Sequence, residues 1–145
     1  MRPFQQVDVF SAEPLRGNPV AVVHEAEGLS TEQMERFARW TNLSEATFLL
    51  PPTDAAADYR VRIFTQVGEL PFAGHPTLGT FPAWLAAGGA PRHPERCVQE
   101  SPAGLIPLRS NDGMLSFEAP PVILSGPVAQ ADLERIARVL GITPG

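Results

Sequence analysis

Apolar residues fall along this chain in short clusters of two periods, split by turn residues, which predicts an α+β chain of short strands and a few helices. Phe4, Val7, Val9 and Phe10, set among polar neighbours, predict a strand over 4–10 that turns irregular at Ser11-Ala12-Glu13-Pro14. Gly17-Asn18-Pro19 then opens the run Val20-Ala21-Val22-Val23, β-branched enough for a buried strand. Ser30-Thr31-Glu32-Gln33 has the form of a capping box, so a helix follows, with Met34, Phe37, Ala38 and Trp40 on its buried side and its end near Thr41. Glu45 to Leu50 reads as a strand closed by Pro51-Pro52. Tyr59 to Thr65 alternates, with Tyr59, Val61 and Ile63 on one face and Arg60 and Arg62 on a wet one.

Further on, Cys97 to Glu100, Gly104 to Arg109 and Met114 to Phe117 predict a three-stranded meander, with Asn111-Asp112-Gly113 as its hairpin signal. Pro120-Pro121 and Gly126-Pro127 break the chain before an amphipathic helix over 132–140, stopped by Gly141. The expected division is one domain over 1–125, then a linker and the first helix of a second domain over 126–145.

Between the two sets of strands, an irregular Gly/Pro loop, Gly68 to Gly74, runs into an apolar helix. Pro76 suits the first helical position, because its missing N–H would have no intrahelical acceptor there. His75 then stands at the helix entrance. The unpaired N–H groups of a first turn favour a carboxylate or a developing enolate and disfavour an imidazolium, so a neutral His75 is expected. Gly74, Pro76 and Thr77 become candidate substrate-binding positions. From Thr77 to Ala87 no residue is charged, which predicts burial on all sides. Pro82 should kink or restart the helix, and Gly88-Gly89 should end it.

Glu45, at the start of an apolar strand, is either a general acid/base whose pKa is raised by desolvation or a carboxylate facing water. His75 is either a substrate-holding group or a tie for its own loop. Glu69 reads as a helix-dipole partner or a surface charge, and Asn18 as an amide aimed into a pocket or an ordinary turn residue. His93 and Cys97 are too few to close a metal site, so no metal is expected. Arg96 alone gives little support to Cys97 as a nucleophile. Without Gly-x-Gly-x-x-Gly or a Gly-Lys-Ser/Thr loop, no nucleotide is implied.

The totals narrow the class further. A chain of 145 residues, 43% hydrophobic, can bury a proper core, and no run has the apolar length of a membrane span. A net charge of −5 with scattered basic residues argues against a nucleic-acid partner. One cysteine excludes an intrachain disulfide, and the N-terminus lacks a signal-peptide core, so a cytoplasmic location is expected.

Four blocks carry a resemblance: Gly17-Asn18-Pro19-Val20-Ala21-Val22, Asn42-Leu43-Ser44-Glu45-Ala46-Thr47-Phe48, Arg62-Ile63-Phe64-Thr65, and Glu69 through Thr80. In this order the chain resembles the PhzF family of phenazine-biosynthesis-type isomerases. The resemblance implies a diaminopimelate epimerase-like fold, in which each of two domains curls a mostly antiparallel sheet around a central apolar helix and the active site lies between them. It implies that Glu45 is the acid/base of a cofactor-independent proton transfer, as in the isomerisation of trans-2,3-dihydro-3-hydroxyanthranilate, and that His75 holds and polarises the substrate. Racemases of this fold place a cysteine where this chain has Gly74-His75, so cysteine-based racemisation is not implied.

Two departures accompany the resemblance. Gln66-Val67-Gly68 stands where the family usually has a proline. Family members are roughly twice this length, beyond a typical single domain, and the other half carries an aspartate and a Gly-Ser segment that complete the cleft. A homodimer, or a separate chain supplying the second domain, would restore enclosure. The competing expectation is a non-catalytic small-ligand-binding or interaction module with the same fold.

Overall fold

Parallel neighbours in a sheet need a crossover connection, and this chain makes two, each through a helix. In the computed structural model, which describes residues 1–143, β1 (Phe4–Val9) pairs antiparallel with β2 (Asn18–Val23), and α1 (Thr31–Thr41) crosses to β3 (Ala46–Leu50), parallel to β2. β4 (Tyr59–Phe64) returns antiparallel to β3 and pairs near its end with the short β5 (Glu69–Leu70). α2 (Gly74–Ala86) then crosses to β6 (Cys97–Ser101), parallel to β4, and β7 (Gly104–Asn111) and β8 (Met114–Phe117) complete the predicted meander. α3 (Gln130–Leu140) comes last. The sheet order is β1-β2-β3-β4-β6-β7-β8, mostly antiparallel.

The sheet curls around α2, which packs on β1, β2 and β3 at one side and on β8 at the other. Val20, Val22, Tyr59, Val61, Ile63 and Leu108 face inward with Phe81 and Ala83 of the helix. α1 covers the outer face, where Met34 and Ala38 meet Ala21, Val23, Phe48 and Phe64. β2 is therefore buried on both faces, which explains its unbroken apolar run. On β4 the alternation holds, with Arg60 and Arg62 partly exposed outside.

The capping box forms as predicted: the Gln33 N–H donates to Ser30 Oγ at 3.2 Å, and the Ser30 N–H donates to Gln33 Oε1 at 2.8 Å. The hairpin signal also holds. Asn111 pairs with Met114, and Asp112 and Gly113 both take positive φ, 50° and 79°, as a two-residue turn of the hairpin kind requires.

Several expectations need correction. β1 stops at Val9 because Phe10 adopts φ 72°, which no strand accommodates. Trp40 is 77% exposed; Met34 and Ala38 make the buried side of α1, with Phe37 packed against them. α2 starts at Gly74 with Ala73 as its N-cap, so Pro76 is the third helical residue, still among positions whose N–H has no intrahelical acceptor. The helix continues through Pro82 as one element, so it does not restart there. Its last turn is not buried, since Leu85, Ala86 and Ala87 are exposed.

The expected break at 125–126 falls in the stretch without strand or helix between β8 and α3, and α3 begins two residues ahead of the predicted start. Of α3, Ala137 is buried, whereas Ile136, Val139 and Leu140 are exposed. No helix among the described residues is long and apolar enough to cross a membrane.

Candidate active site

Glu45, His75 and Asn18 meet because the starts of three elements share one rim of the curled sheet. β2 and β3 run parallel with Ala21 opposite Ala46, and the Ala21 N–H donates to the Glu45 carbonyl at 3.3 Å. The period of a strand then sends the Glu45 side chain to the side of Thr47 and Leu49, toward α2. There His75 Nδ1 lies 2.7 Å from Glu45 Oε2, and His75 Nε2 lies 2.8 Å from the Asn18 carbonyl oxygen. The imidazole is 11% exposed and the carboxyl group 17%.

These two contacts fix the proton count. A carbonyl oxygen only accepts, so Nε2 carries a hydrogen and donates to Asn18. The 2.7 Å contact needs one further proton between Nδ1 and Oε2. Either Glu45 is ionised and faces an imidazolium, or His75 is neutral and accepts from a protonated Glu45. The neutral His75 expected from the helix field therefore requires a protonated Glu45 beside it. In both forms the pair holds one mobile proton, and Oε1 receives no hydrogen bond from the described residues.

A buried polar chain holds this geometry. Thr80 Oγ1 of α2 donates to Thr47 Oγ1 of β3 at 2.8 Å, and Thr47 donates to the Ala21 carbonyl of β2 at 3.2 Å. Gly79 lets α2 approach the sheet: a Cβ there would stand 2.3 Å from Val20 Cγ1 and 2.9 Å from Val9 Cγ2. At the helix start, the Gly74 and His75 N–H groups have no intrahelical acceptor, Ala73 offers no side-chain cap, and the first turn carries no acidic residue. That end is open to a carboxylate.

The predicted site residues separate. Asn18 opens β2, exposed, and engages His75 through its backbone carbonyl. Gly74 lies at the rim against Phe117, where a Cβ would come 2.7 Å from Cζ. Pro76 and Thr77, expected as substrate-binding positions, are both buried. The Thr77 hydroxyl accepts from Gln99 Nε2 at 3.1 Å, and its N–H goes to Ala73. They support the first turn from below. Glu69 forms a two-pronged ion pair with Arg62, at 2.7 and 2.6 Å, instead of serving the helix. Cys97 is buried, and burial together with the Asp58 carboxylate pushes its thiol pKa far up, so it is no nucleophile.

One neighbour escaped the sequence reading. The Phe10 ring lies 5.5 Å from the His75 ring, centroid to centroid, while being 71% exposed. The signal was an apolar residue directly before a turn-rich loop, and the strand pattern absorbed it.

Residues 7–137 match the family described as phenazine biosynthesis-like protein, PhzC-PhzF. The chain is 48% identical over 115 residues to trans-2,3-dihydro-3-hydroxyanthranilate isomerase of Pseudomonas aeruginosa, covering 78% of this chain and 40% of that one. It is 47% identical over 122 residues to antisense-enhancing sequence 1 of Schizosaccharomyces pombe, covering 81% of this chain and 41% of the relative. Among solved structures, the Bacillus anthracis phenazine biosynthesis protein of the PhzF family superposes with a TM-score of 0.68 at 32% identity, over 79% of this chain and 38% of that one. The chain thus spans about two-fifths of the length of these relatives.

Proposed function

The chain belongs to the phenazine biosynthesis-like PhzC-PhzF family, and we propose that it supplies the proton-transfer half of a cofactor-independent isomerase acting on a small carboxylated substrate of the dihydro-hydroxyanthranilate type. The observation that carries this reading is the Glu45–His75 pair, Oε2 to Nδ1 at 2.7 Å, set at the N-terminal end of α2. In the ionised form, His75 holds Oε2 and leaves Oε1 to take a proton from a substrate carbon. The electron pair of the broken C–H bond moves into the conjugated system, and Glu45 returns the proton to a nearby carbon. His75, anchored on Asn18, keeps the carboxylate aimed throughout. The free N–H groups of Gly74 and His75 receive the substrate carboxylate. The lone buried thiol of Cys97 suits a reducing compartment, and the reading places the chain in the cytoplasm.

The site also needs a second body to shut out water. A second copy of this chain, or a further polypeptide, fills that role, and the exposed Ile136, Val139 and Leu140 of α3 offer it an apolar surface. The test is solvent-deuterium incorporation into trans-2,3-dihydro-3-hydroxyanthranilate, followed across a protein concentration series with light scattering alongside. Deuterium should enter the substrate as the chain associates, and Glu45→Gln should abolish it. A dimeric sample that exchanges no hydrogen overturns the catalytic reading and leaves a small-ligand-binding module.

A further inference from the structure

An imidazole buried with one nitrogen unpaired is costly unless something completes its hydrogen bonding. His24, the residue after β2, is 5% exposed, and its Nε2 has no hydrogen-bond partner among the described residues. It lines a cavity of about 660 Å³ at the C-terminal end of α2, a volume within the range of about 300–1,000 Å³ usual for small-molecule sites. The 13 residues of α2 place this cavity roughly 20 Å from the His75 end, at about 1.5 Å per residue. It is a separate place in the molecule.

The lining defines what would fit. Trp84 and Tyr59 form an aromatic wall, with centroids 4.9 Å apart and planes tilted by 35°. Gly89 holds the backbone directly against Trp84, since a Cβ there would come 2.3 Å from the indole ring. Leu49 and Pro51 add apolar surface. The other buried polar groups are already engaged: Tyr59 OH donates to Gln99 Oε1 at 3.1 Å, and Asp58 accepts from the Val98 and Arg92 N–H groups at 2.7 and 3.0 Å. His24 Nε2 is thus the unspent polar contact of the wall. Burial lowers the His24 pKa, with Glu25 pulling the other way, which favours the neutral ring, and in its Nδ1–H tautomer Nε2 is an acceptor for a ligand donor. Glu25 and the carbonyl end of α2 add negative potential while the Arg92 guanidinium, 3.8 Å from Asp58, offsets that carboxylate, so the lining favours a neutral or positive group over a carboxylate.

We propose that this cavity binds a small aromatic molecule bearing a neutral or cationic N–H or O–H donor, which donates to His24 Nε2 while its ring lies against Trp84. The site is distinct in place and in charge preference from the carboxylate-receiving start of α2.

Tyramine is the probe, and 4-hydroxyphenylacetate, which replaces its amine arm with a carboxylate, is the matched anion. In a Trp40→Phe background, Trp84 is the sole indole reporter. Tyramine should produce a saturable change in Trp84 emission and shift the ¹⁵N resonances of the His24 ring. His24→Phe should weaken binding about tenfold, and the anion should bind about tenfold less tightly than tyramine. Ala87→Phe, which fills the cavity from an exposed position, should abolish saturation without disturbing the fold, so it decides the matter even if His24→Phe fails to fold. A linear, non-saturating response to tyramine overturns the proposal. So does saturation that survives Ala87→Phe, or equal binding of the anion.

Discussion

Thr80 Oγ1 donates to Thr47 Oγ1 at 2.8 Å, with both side chains fully buried, two residues along the chain from Glu45. Because Thr47 passes its own hydrogen to Ala21, this contact joins α2, β3 and β2, the three elements whose starts carry His75, Glu45 and Asn18. The Glu45–His75 pair is held by a polar link buried behind it.

The two threonines should therefore differ in cost. Thr80→Val removes a donor but leaves Thr47 bonded to Ala21, a loss of about 1 kcal/mol. Thr47→Val strands the Thr80 hydroxyl in the core and takes a donor from the Ala21 carbonyl, which should cost about 1–3 kcal/mol. Urea titrations should show the midpoint falling further for Thr47→Val, with unchanged slope in both. Equal midpoints would mean that the link carries no direction.

Gly79→Ala pits propensity against packing. Alanine is favoured over glycine inside a helix by about 1 kcal/mol. The new Cβ, however, would meet Val20 Cγ1 at 2.3 Å, and overpacking of this kind costs about 1–3 kcal/mol. The variant should be less stable than the parent. Val20→Ala should relieve the clash, so the double variant should be more stable than the two single losses added together predict. Strict additivity would place the strain elsewhere.

Glu100 supplies an acid-side transition. Burial alone would raise its carboxyl pKa, but hydrogen bonds from the Thr53 hydroxyl and the Asp54 and Thr53 N–H groups, with attraction from Arg60, together outweigh it and hold the pKa below 4.5. A depressed carboxyl pKa contributes stability that is fully present above the unfolded value and is lost as pH falls through the folded one. The parent should thus lose stability as pH drops below about 4.5, and Glu100→Gln should flatten that part of the profile. Parallel profiles for the two proteins would count against this role.

The fold was largely legible because its signals are local. A capping box, a two-residue hairpin turn and the alternation from Tyr59 to Ile63 each act within a few residues, and each survives in the structure. Glu45 and His75 were legible as candidates from their places at element starts. Their pairing was not, because it depends on β2 and β3 lying parallel, a relationship across the sheet. For the same reason neither the Asn18 carbonyl contact to His75 nor the Gln99 contact to Thr77 was visible in the sequence. Arg62 and Glu69 were both visible as charges, yet only the β4–β5 pairing brings them together.

Glu45→Gln tests the proton count itself. With Nε2 fixed as a donor by Asn18, the parent pair shares one proton between Nδ1 and Oε2. A glutamine amide can donate to Nδ1 from the same place, which leaves His75 neutral with its hydrogen on Nε2 and keeps the contact satisfied. The variant should fold with a stability within about 1 kcal/mol of the parent, yet it has no group to take a proton from carbon. Solvent-deuterium incorporation should fall by about 10²–10⁴, the usual contribution of a positioned acid/base. The ¹⁵N spectrum of neutral His75 should show the single Nε2–H tautomer in the variant, whereas Nδ1 in the parent should report the shared proton. An Nδ1–H tautomer in Glu45→Gln would contradict the Asn18 anchor, and retained exchange would remove Glu45 from the proton transfer.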